Sequence, residues 1–181
     1  MEMEIEVCVP NAADYEAARA ALTHLEGVTV QSTSLSNGSH ACLAATGGSD
    51  PPFLHEGSAL DVHLSAYTPW ELFSARLSLY VTAPPVPVGR AVVLPTLHPR
   101  HTLLIYAPSH DGGIADRDPL ATGGGVSAAF GAALAAARAY EIKGVSVELW
   151  NVGDVRGTSG ASACEEMRNA LALAGFRRGS R

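Results

Sequence analysis

Hydrophobic and polar positions near the start of the chain follow two different periods, which predict a strand, a helix and a second strand. Residues 4–9 and 28–32 are alternating or apolar runs of strand length. Between them Asn11 predicts an N-cap, with Asp14 three positions on as part of a capping box. Gly27 predicts the end of this helix. One helical face carries the apolar positions Tyr15, Ala18, Leu22 and Leu25.

The middle of the chain has shorter and more irregular apolar runs. Residues 41–45 predict a buried strand that leads into a loop at 46–52, and residues 60–64 alternate as a strand would. Further along, the pattern predicts a short helix beginning at Pro69, a strand at 77–82, an extended linker at 83–87, and strands at 90–94 and 102–107.

The last third has the clearest helical periodicity. Residues 126–140 predict a helix that Gly144 ends, and residues 145–150 predict a strand. Ser162 and Glu165 form a capping-box pattern for a final helix. The core face of the first helix is Val126, Phe130, Ala133, Leu134 and Ala137. The buried stripe of the second is Cys164, Met167, Leu171 and Ala174, with Gly175 after it.

This order of elements predicts a single α/β domain over residues 1–181, with three layers, α/β/α, and a mixed, partly parallel sheet. The helix at 126–140 is expected to act as a crossover, which would make the strands at 102–107 and 145–150 parallel neighbours. Against the second of these strands we expect a shared core of Phe130, Leu134, Met167 and Leu171.

Composition narrows the class of protein. Of the 181 residues 47% are hydrophobic and 17% charged, which excludes intrinsic disorder. A net charge of −6 argues against a nucleic-acid partner, and no apolar run is long enough to span a membrane. The acidic start lacks the basic region of a signal peptide, so a cytoplasmic location is expected. Three distant cysteines, Cys8, Cys42 and Cys164, are expected to be buried thiols.

Two glycine-rich loops are the candidate binding elements, because each follows a predicted strand and precedes a predicted helix. Glycine lets backbone amides approach an anion, and a helix N-terminus favours negative charge, so a phosphate or pyrophosphate is the expected guest. Arg156 is the expected anion partner, although it could instead pair with Asp154 or face solvent. The P-loop and dinucleotide fingerprints are absent. The candidate residues are Gly123, Gly124, Gly125, Val126, Asn151, Gly153, Asp154, Arg156 and Gly157.

Other clusters of reactive side chains have simpler interpretations. Residues 109–111 spell Ser-His-Asp, but adjacent residues rarely face each other as a triad does, so a polar loop is expected. His98 and His101 flank Pro99, which makes shared metal ligation awkward. The two aspartates within 116–118 are expected to be solvated. No metal and no cofactor is therefore expected.

The order of elements in the C-terminal half resembles a macro domain, the ADP-ribose-binding α/β module. The resemblance covers roughly residues 90–175 and rests on five segments: residues 89–95, 102–108, 127–140, 145–153 and 163–167. It implies the same three-layer fold and an ADP-ribose-like nucleotide as ligand. It also adds Thr46, Gly47 and Gly48 to the candidate ligand-binding residues, since they fall in the family's early asparagine-containing segment.

The sequence departs from the family pattern in three places. Both asparagines of the early segment are missing from residues 43–48, Gly153 and Gly157 lie one residue further apart than in the family, and the glycine run at 123–125 comes later. Two functions follow from these observations. The first is binding, with hydrolysis as an extension, of a nucleotide diphosphate such as ADP-ribose. The alternative is a noncatalytic interaction module that has lost the pocket and works with a protein partner or as a homo-oligomer.

Overall fold

All described strands belong to one six-stranded sheet. The computed structural model describes residues 2–46, 59–66, 89–109, 125–149 and 160–179. The strand order is β2-β1-β6-β3-β5-β4. The strands are β1 (Glu4–Cys8), β2 (Val28–Gln31), β3 (Cys42–Ala45), β4 (Val92–Pro95), β5 (Leu103–Tyr106) and β6 (Gly144–Glu148).

Four α-helices and one 3₁₀-helix are formed by the described residues. None of these helices has the length and apolar character that a membrane crossing requires. They are α1 (Ala12–Leu22), the 3₁₀-helix η1 (Leu35–Asn37), α2 (Ala59–Ser65), α3 (Gly125–Ala139) and α4 (Gly160–Leu173).

The sheet is mixed, as expected. Strands β1, β2, β3, β5 and β6 run parallel, and β4 pairs antiparallel with β5 at one edge. The prediction that β5 and β6 are neighbours is wrong, because β3 lies between them and pairs with both. All four residues of β3 are buried, as a central strand with both faces covered requires.

The two faces of the sheet bury different sets of side chains, which makes three layers. One face packs against α1, α3 and α4, and the other against η1 and α2. The expected shared core of Phe130, Leu134, Met167 and Leu171 is present on the first face, together with Val145 and Val147 of β6. The second face buries Cys8, Leu43, Ala45, Leu94, Leu104 and Tyr106 beneath Leu35 and Leu64.

The observed capping of α1 agrees in part with the predicted capping. Asn11 Oδ1 accepts hydrogen bonds from the amides of Ala13 (3.0 Å) and Asp14 (3.2 Å), as an N-cap does. Asp14 does not serve as a capping-box partner in the described contacts; its carboxylate lies against Gly160 instead. Leu25 is buried, but it follows the helix, which ends at Leu22 before the left-handed Gly27 at φ +77°.

Residues 60–64 form part of helix α2, so the strand prediction is wrong there. The alternating pattern is also compatible with a helix, because Leu60 and Leu64 are four positions apart and share one face. Leu64 is buried and Leu60 is half-buried on the second face of the sheet, whereas Val62 is 60% exposed.

The ends of α3 and α4 differ from the predicted ones. α3 ends at Ala139 and the left-handed residue after it is Glu141, so Gly144 is the first residue of β6 and does not end the helix. A side chain at Gly144 would collide with the His40 ring, which accounts for the glycine. α4 begins at Gly160, so Ser162 lies inside its first turn and the predicted capping box is wrong.

The predictions for the helix at Pro69, the strand at 77–82 and the linker at 83–87 lie outside the described residues.

A buried carboxylate connects β1 and β6 to the segment after η1. Glu6 is 5% exposed and accepts hydrogen bonds from Ser146 Oγ (2.6 Å), the Ser39 amide (2.7 Å) and Ser39 Oγ (2.9 Å). Burial acts to raise the pKa of Glu6, but the hydrogen bonds from Ser146 and Ser39 outweigh it and hold the pKa below its ordinary value. The ionised form is therefore the one that this site stabilises.

Candidate functional site

The carboxyl ends of the five parallel strands meet at one edge of the sheet, and the chain leaves them in different directions. After β5 and β6 it reaches α3 and α4 on the first face; after β3 it reaches α2 on the second face. β3 lies between β5 and β6, so the chain diverges around its end. In α/β sheets a ligand-binding crevice is expected at such a divergence, and this position at the carboxyl end of β3 is called the crevice below.

Hydroxyl groups lie at the β3–β5 side of this crevice. Thr46 follows β3, and its Oγ1 donates to the carbonyl oxygen of Ala107, 2.7 Å away, which ties the ends of the two strands together. Ser109 follows β5 and is only 2% exposed. Within the described part of the chain its Oγ has no hydrogen-bond partner. A buried hydroxyl without a partner is costly, so this group is available to a ligand that reaches it.

Carboxylates lie at the β1–β6 side of the same edge. A cleft of about 310 Å³ is lined there by the segment from Cys8 to Asn11 together with Asp14, Glu148 and Leu149. Asp14 comes from α1 and lies beside Gly160, the first residue of α4. The field of a helix N-terminus favours a negative charge at that position.

The thiols are buried as expected, and no two of the cysteines are joined by a disulfide. Burial, with Glu6 nearby, raises the pKa of Cys8 to about 12, and burial raises the pKa of Cys42 to about 12. The pKa of Cys164 is raised by burial and by Asp14. A thiol is nucleophilic only as the thiolate, so Cys8 is inert even though it lines the cleft.

The predicted ligand-binding residues fall only in part within the described ranges. Thr46 lies at the carboxyl end of β3, and Gly125 and Val126 form the start of α3. The remaining predicted residues, which are Gly47, Gly48, Gly123, Gly124, Asn151, Gly153, Asp154, Arg156 and Gly157, lie outside the described residues. Ser109, which the sequence placed in a polar loop, lies at this edge too; the Ser-His-Asp sequence was the only signal for it.

His98 and His101, whose shared metal ligation Pro99 was expected to make awkward, lie together. The rings of His98 and His101 stack with their centroids 4.8 Å apart, and His63 of α2 completes a cluster of three. This cluster, called the histidine triad below, lies beside the start of β5 and so at the opposite edge of the sheet from the crevice. His63 is 38 positions from His101, and no local spacing in the sequence indicated that they would meet.

Comparisons with known proteins identify the fold. No protein-family model matches the sequence, and no curated protein sequence matches it either. Among solved structures, the macrodomain of Mycobacterium tuberculosis DarG is similar with a TM-score of 0.56 at 16% identity, over 80% of this chain and 90% of that one. Two mutants of the Oceanobacillus iheyensis macrodomain have TM-scores of 0.57 at 13% and 17% identity. They cover 78% and 80% of this chain and 76% and 72% of their own.

Proposed function

We propose that this chain, which has the macrodomain fold, binds a nucleotide diphosphate of the ADP-ribose type in the crevice at the carboxyl end of β3. The observation that carries the proposal is the divergence of the chain around β3. A parallel sheet binds its ligand at such a point because helix N-termini and loop amides converge there on an anion.

The polar groups of the crevice divide in a way that suits the two halves of such a ligand. Asp14 and Glu148 on the β1–β6 side accept hydrogen bonds, which fits the hydroxyl and amino groups of a nucleoside. The unpartnered Ser109 hydroxyl and the start of α3 on the β5 side donate hydrogen bonds, which fits a diphosphate. We therefore orient the nucleoside towards β1 and β6 and the diphosphate towards β5, with the glycines at 123–124 and 153 beside it.

Binding, and not hydrolysis, is the activity that we propose first. The two asparagines of the family's early segment are absent from residues 43–48. Cys8, the thiol at the cleft, stays protonated at neutral pH.

We infer also that residues 1–181 form one domain and that the reduced thiols suit a reducing compartment such as the cytoplasm.

Calorimetric titration of the full chain with ADP-ribose, ADP and AMP tests the proposal. We expect one site per chain, with ADP-ribose and ADP bound more tightly than AMP because they carry the diphosphate. Ser109→Ala removes one hydroxyl with little change of volume and should weaken ADP-ribose binding about tenfold, as loss of one hydrogen bond of about 1.4 kcal/mol implies. Ser32→Ala is the matched control, because that exposed serine follows β2, which β1 and β6 separate from β3.

Two outcomes would contradict the proposal. One is the absence of binding by the wild-type chain at millimolar ADP-ribose, which would favour the noncatalytic interaction module. The other is equal affinity in Ser109→Ala and Ser32→Ala, which would place the ligand elsewhere. Release of ADP-ribose from a mono-ADP-ribosylated protein, followed by chromatography, separates hydrolysis from binding.

A further inference from the structure

The histidine triad brings three imidazoles together from two separate parts of the chain. His63 comes from α2, and His98 and His101 from the turn that joins β4 to β5. The His63 ring centroid lies 4.3 Å from that of His98 and 5.0 Å from that of His101. His98 and His101 are 6% and 1% exposed, whereas His63 is half-buried and reaches solvent. The triad is thus a buried cluster with one accessible side.

The turn itself is held rigidly by short-range hydrogen bonds. The Thr96 amide donates to the Thr102 carbonyl oxygen (2.8 Å), and Thr96 Oγ1 accepts from the His98 amide (3.1 Å) and donates to the His101 carbonyl oxygen. His98 Nδ1 accepts from the amides of Arg100 (3.1 Å) and His101 (3.0 Å). The positions of both rings are therefore set before anything binds.

Hydrogen bonding also fixes which ring nitrogens carry lone pairs. His101 Nε2 lies 2.9 Å from the Gly38 carbonyl oxygen, which can only accept, so Nε2 carries the proton and Nδ1 carries a lone pair. That lone pair faces His63 Nε2 at 2.8 Å. A carbonyl acceptor on the far nitrogen is the arrangement by which proteins orient metal-binding histidines.

Two of the three rings, His63 and His98, have lowered pKa values. Burial lowers the pKa of His63, with His98, His101 and Arg100 adding to the effect; burial lowers the pKa of His98, with His101 and Arg100 adding to it. Neutral imidazole is the form that coordinates a metal. No acidic side chain belongs to the cluster in the described residues, which disfavours Ca²⁺ and Mg²⁺, ions that prefer oxygen ligands.

We propose that His63, His98 and His101 form a binding site for one divalent transition-metal ion of the Zn²⁺ type, separate from the crevice. The three ligand atoms lie within 4.8 Å of one another. Tetrahedral zinc, with Zn–N bonds of about 2.0–2.1 Å, needs nitrogens about 3.4 Å apart, so the nitrogens of His63 and His101, now 2.8 Å apart, separate by about 0.6 Å. The ion takes the place of the proton that now lies between His63 and His101. His63 loses that proton from Nε2 to solvent and gains one from solvent on Nδ1, so its ring stays neutral, and a water on the exposed side takes the fourth position.

His98 differs from the other two ligands in its protonation. The two amides on its Nδ1 place its proton on Nε2, so His98 can coordinate as a neutral ring only through Nδ1, in exchange for those two hydrogen bonds. We expect the affinity to depend less on His98 than on His101, because coordination by His98 costs these two hydrogen bonds.

Titration of the chelator-stripped full chain with Co²⁺, and displacement by Zn²⁺, tests the site. We expect one ion per chain and the visible ligand-field bands of four-coordinate cobalt. His63→Gln and His101→Ala should each weaken binding at least tenfold. His98→Asn should weaken it less, while its amide oxygen still accepts from the turn amides and preserves the fold. His24→Ala changes a histidine in the turn after α1, outside the triad, and should bind like the wild-type chain.

Failure of cobalt to bind at one equivalent with ligand-field bands would overturn the proposal, as would unchanged affinity in His63→Gln. If His101→Ala does not fold, His63→Gln and His98→Asn decide the matter, since neither removes a bond on which the turn depends. Crevice binding of ADP-ribose is measured on separate samples without metal, so either proposal fails without the other.

Discussion

At the scale of single residues, the molecule depends on polar side chains that are buried and fully engaged. Glu6 shows the principle, because a carboxylate in the interior is tolerated only when hydrogen bonds replace the water it has lost. Ser39 and Ser146 supply those bonds from two different segments. The chain of hydrogen bonds extends from Glu6 towards the surface. Ser146 Oγ donates to Glu6 and accepts from the His40 amide, 3.2 Å away.

Substitution of Glu6 by Gln should destabilise the fold by about 1–3 kcal/mol at pH 7, because an amide –NH₂ would face hydrogen-bond donors. The pH dependence has a defined sign. The folded pKa of Glu6 lies below the ordinary value of 4.5, so its stabilisation is complete above pH 4.5 and is lost as the pH falls through the folded pKa. Urea unfolding between pH 7 and pH 3 measures both effects.

Ser39→Ala serves as the companion variant, since it removes one hydroxyl donor and leaves the Ser39 amide in place. We expect a smaller loss of unfolding free energy than in Glu6→Gln. A Glu6→Gln chain as stable as the wild type, with the same dependence on pH, would show that the carboxylate is not held in its ionised form.

At the scale of secondary-structure elements, each helix is stabilised mainly by the face that it buries. α4 offers a matched pair of leucines for testing this, because Leu171 is fully buried on the first face of the sheet and Leu173, two positions on, is 85% exposed. Successive positions two apart on a helix point in different directions, so the two leucines share chemistry and differ only in burial.

Leu171→Ala should lower the free energy of unfolding by about 2–5 kcal/mol, because it leaves a cavity in the core shared with Phe130 and Met167. Leu173→Ala should change it by less than about 0.5 kcal/mol. Thermal and urea unfolding of both variants measure the difference. Equal losses in the two variants would mean that the buried face of α4 has been assigned wrongly.

The secondary-structure elements also show which parts of the fold could be predicted from the sequence and which could not. α1, α3, β6 and the core of α4 were predicted because long periodic patterns admit one interpretation. The apolar positions in residues 60–64 fit both the two-residue period of a strand and the spacing of a helix. Only their packing against Leu35 and the sheet shows that the segment is helical. The histidine triad and the insertion of β3 between β5 and β6 depend on contacts between distant segments, on which local patterns carry no information.

At the scale of the whole molecule, the order of strands predicts a gradient of local stability. β1, β6 and β3 have strand partners on both sides, whereas β2 and β4 are the outermost of the strands that the structure describes. Opening an edge strand disturbs fewer contacts than opening a central one. The hydrogen-bonded amides of β2 and β4 should therefore exchange with solvent at least about tenfold faster than those of β6, a difference of about 1.4 kcal/mol.

Hydrogen–deuterium exchange followed by mass spectrometry or NMR measures this gradient. Peptides within β1 and β3 serve as internal references, because both strands are central. Uniform protection across all six strands would contradict the prediction and indicate that the sheet opens only as a unit.

The position of β6 between β1 and β3 also sets the order in which the chain can complete its fold during synthesis. β1 pairs with β6 through contacts such as Ile5 with Val145, which join residues about 140 positions apart. Until residues 144–148 leave the ribosome, the sheet exists only as two unconnected pieces, β2–β1 and β3–β5–β4. Contacts so distant in sequence make folding slow, and a nascent chain would carry two open strand edges while it waits. We therefore expect the N-terminal half of this protein to complete its fold later during synthesis than its small size suggests.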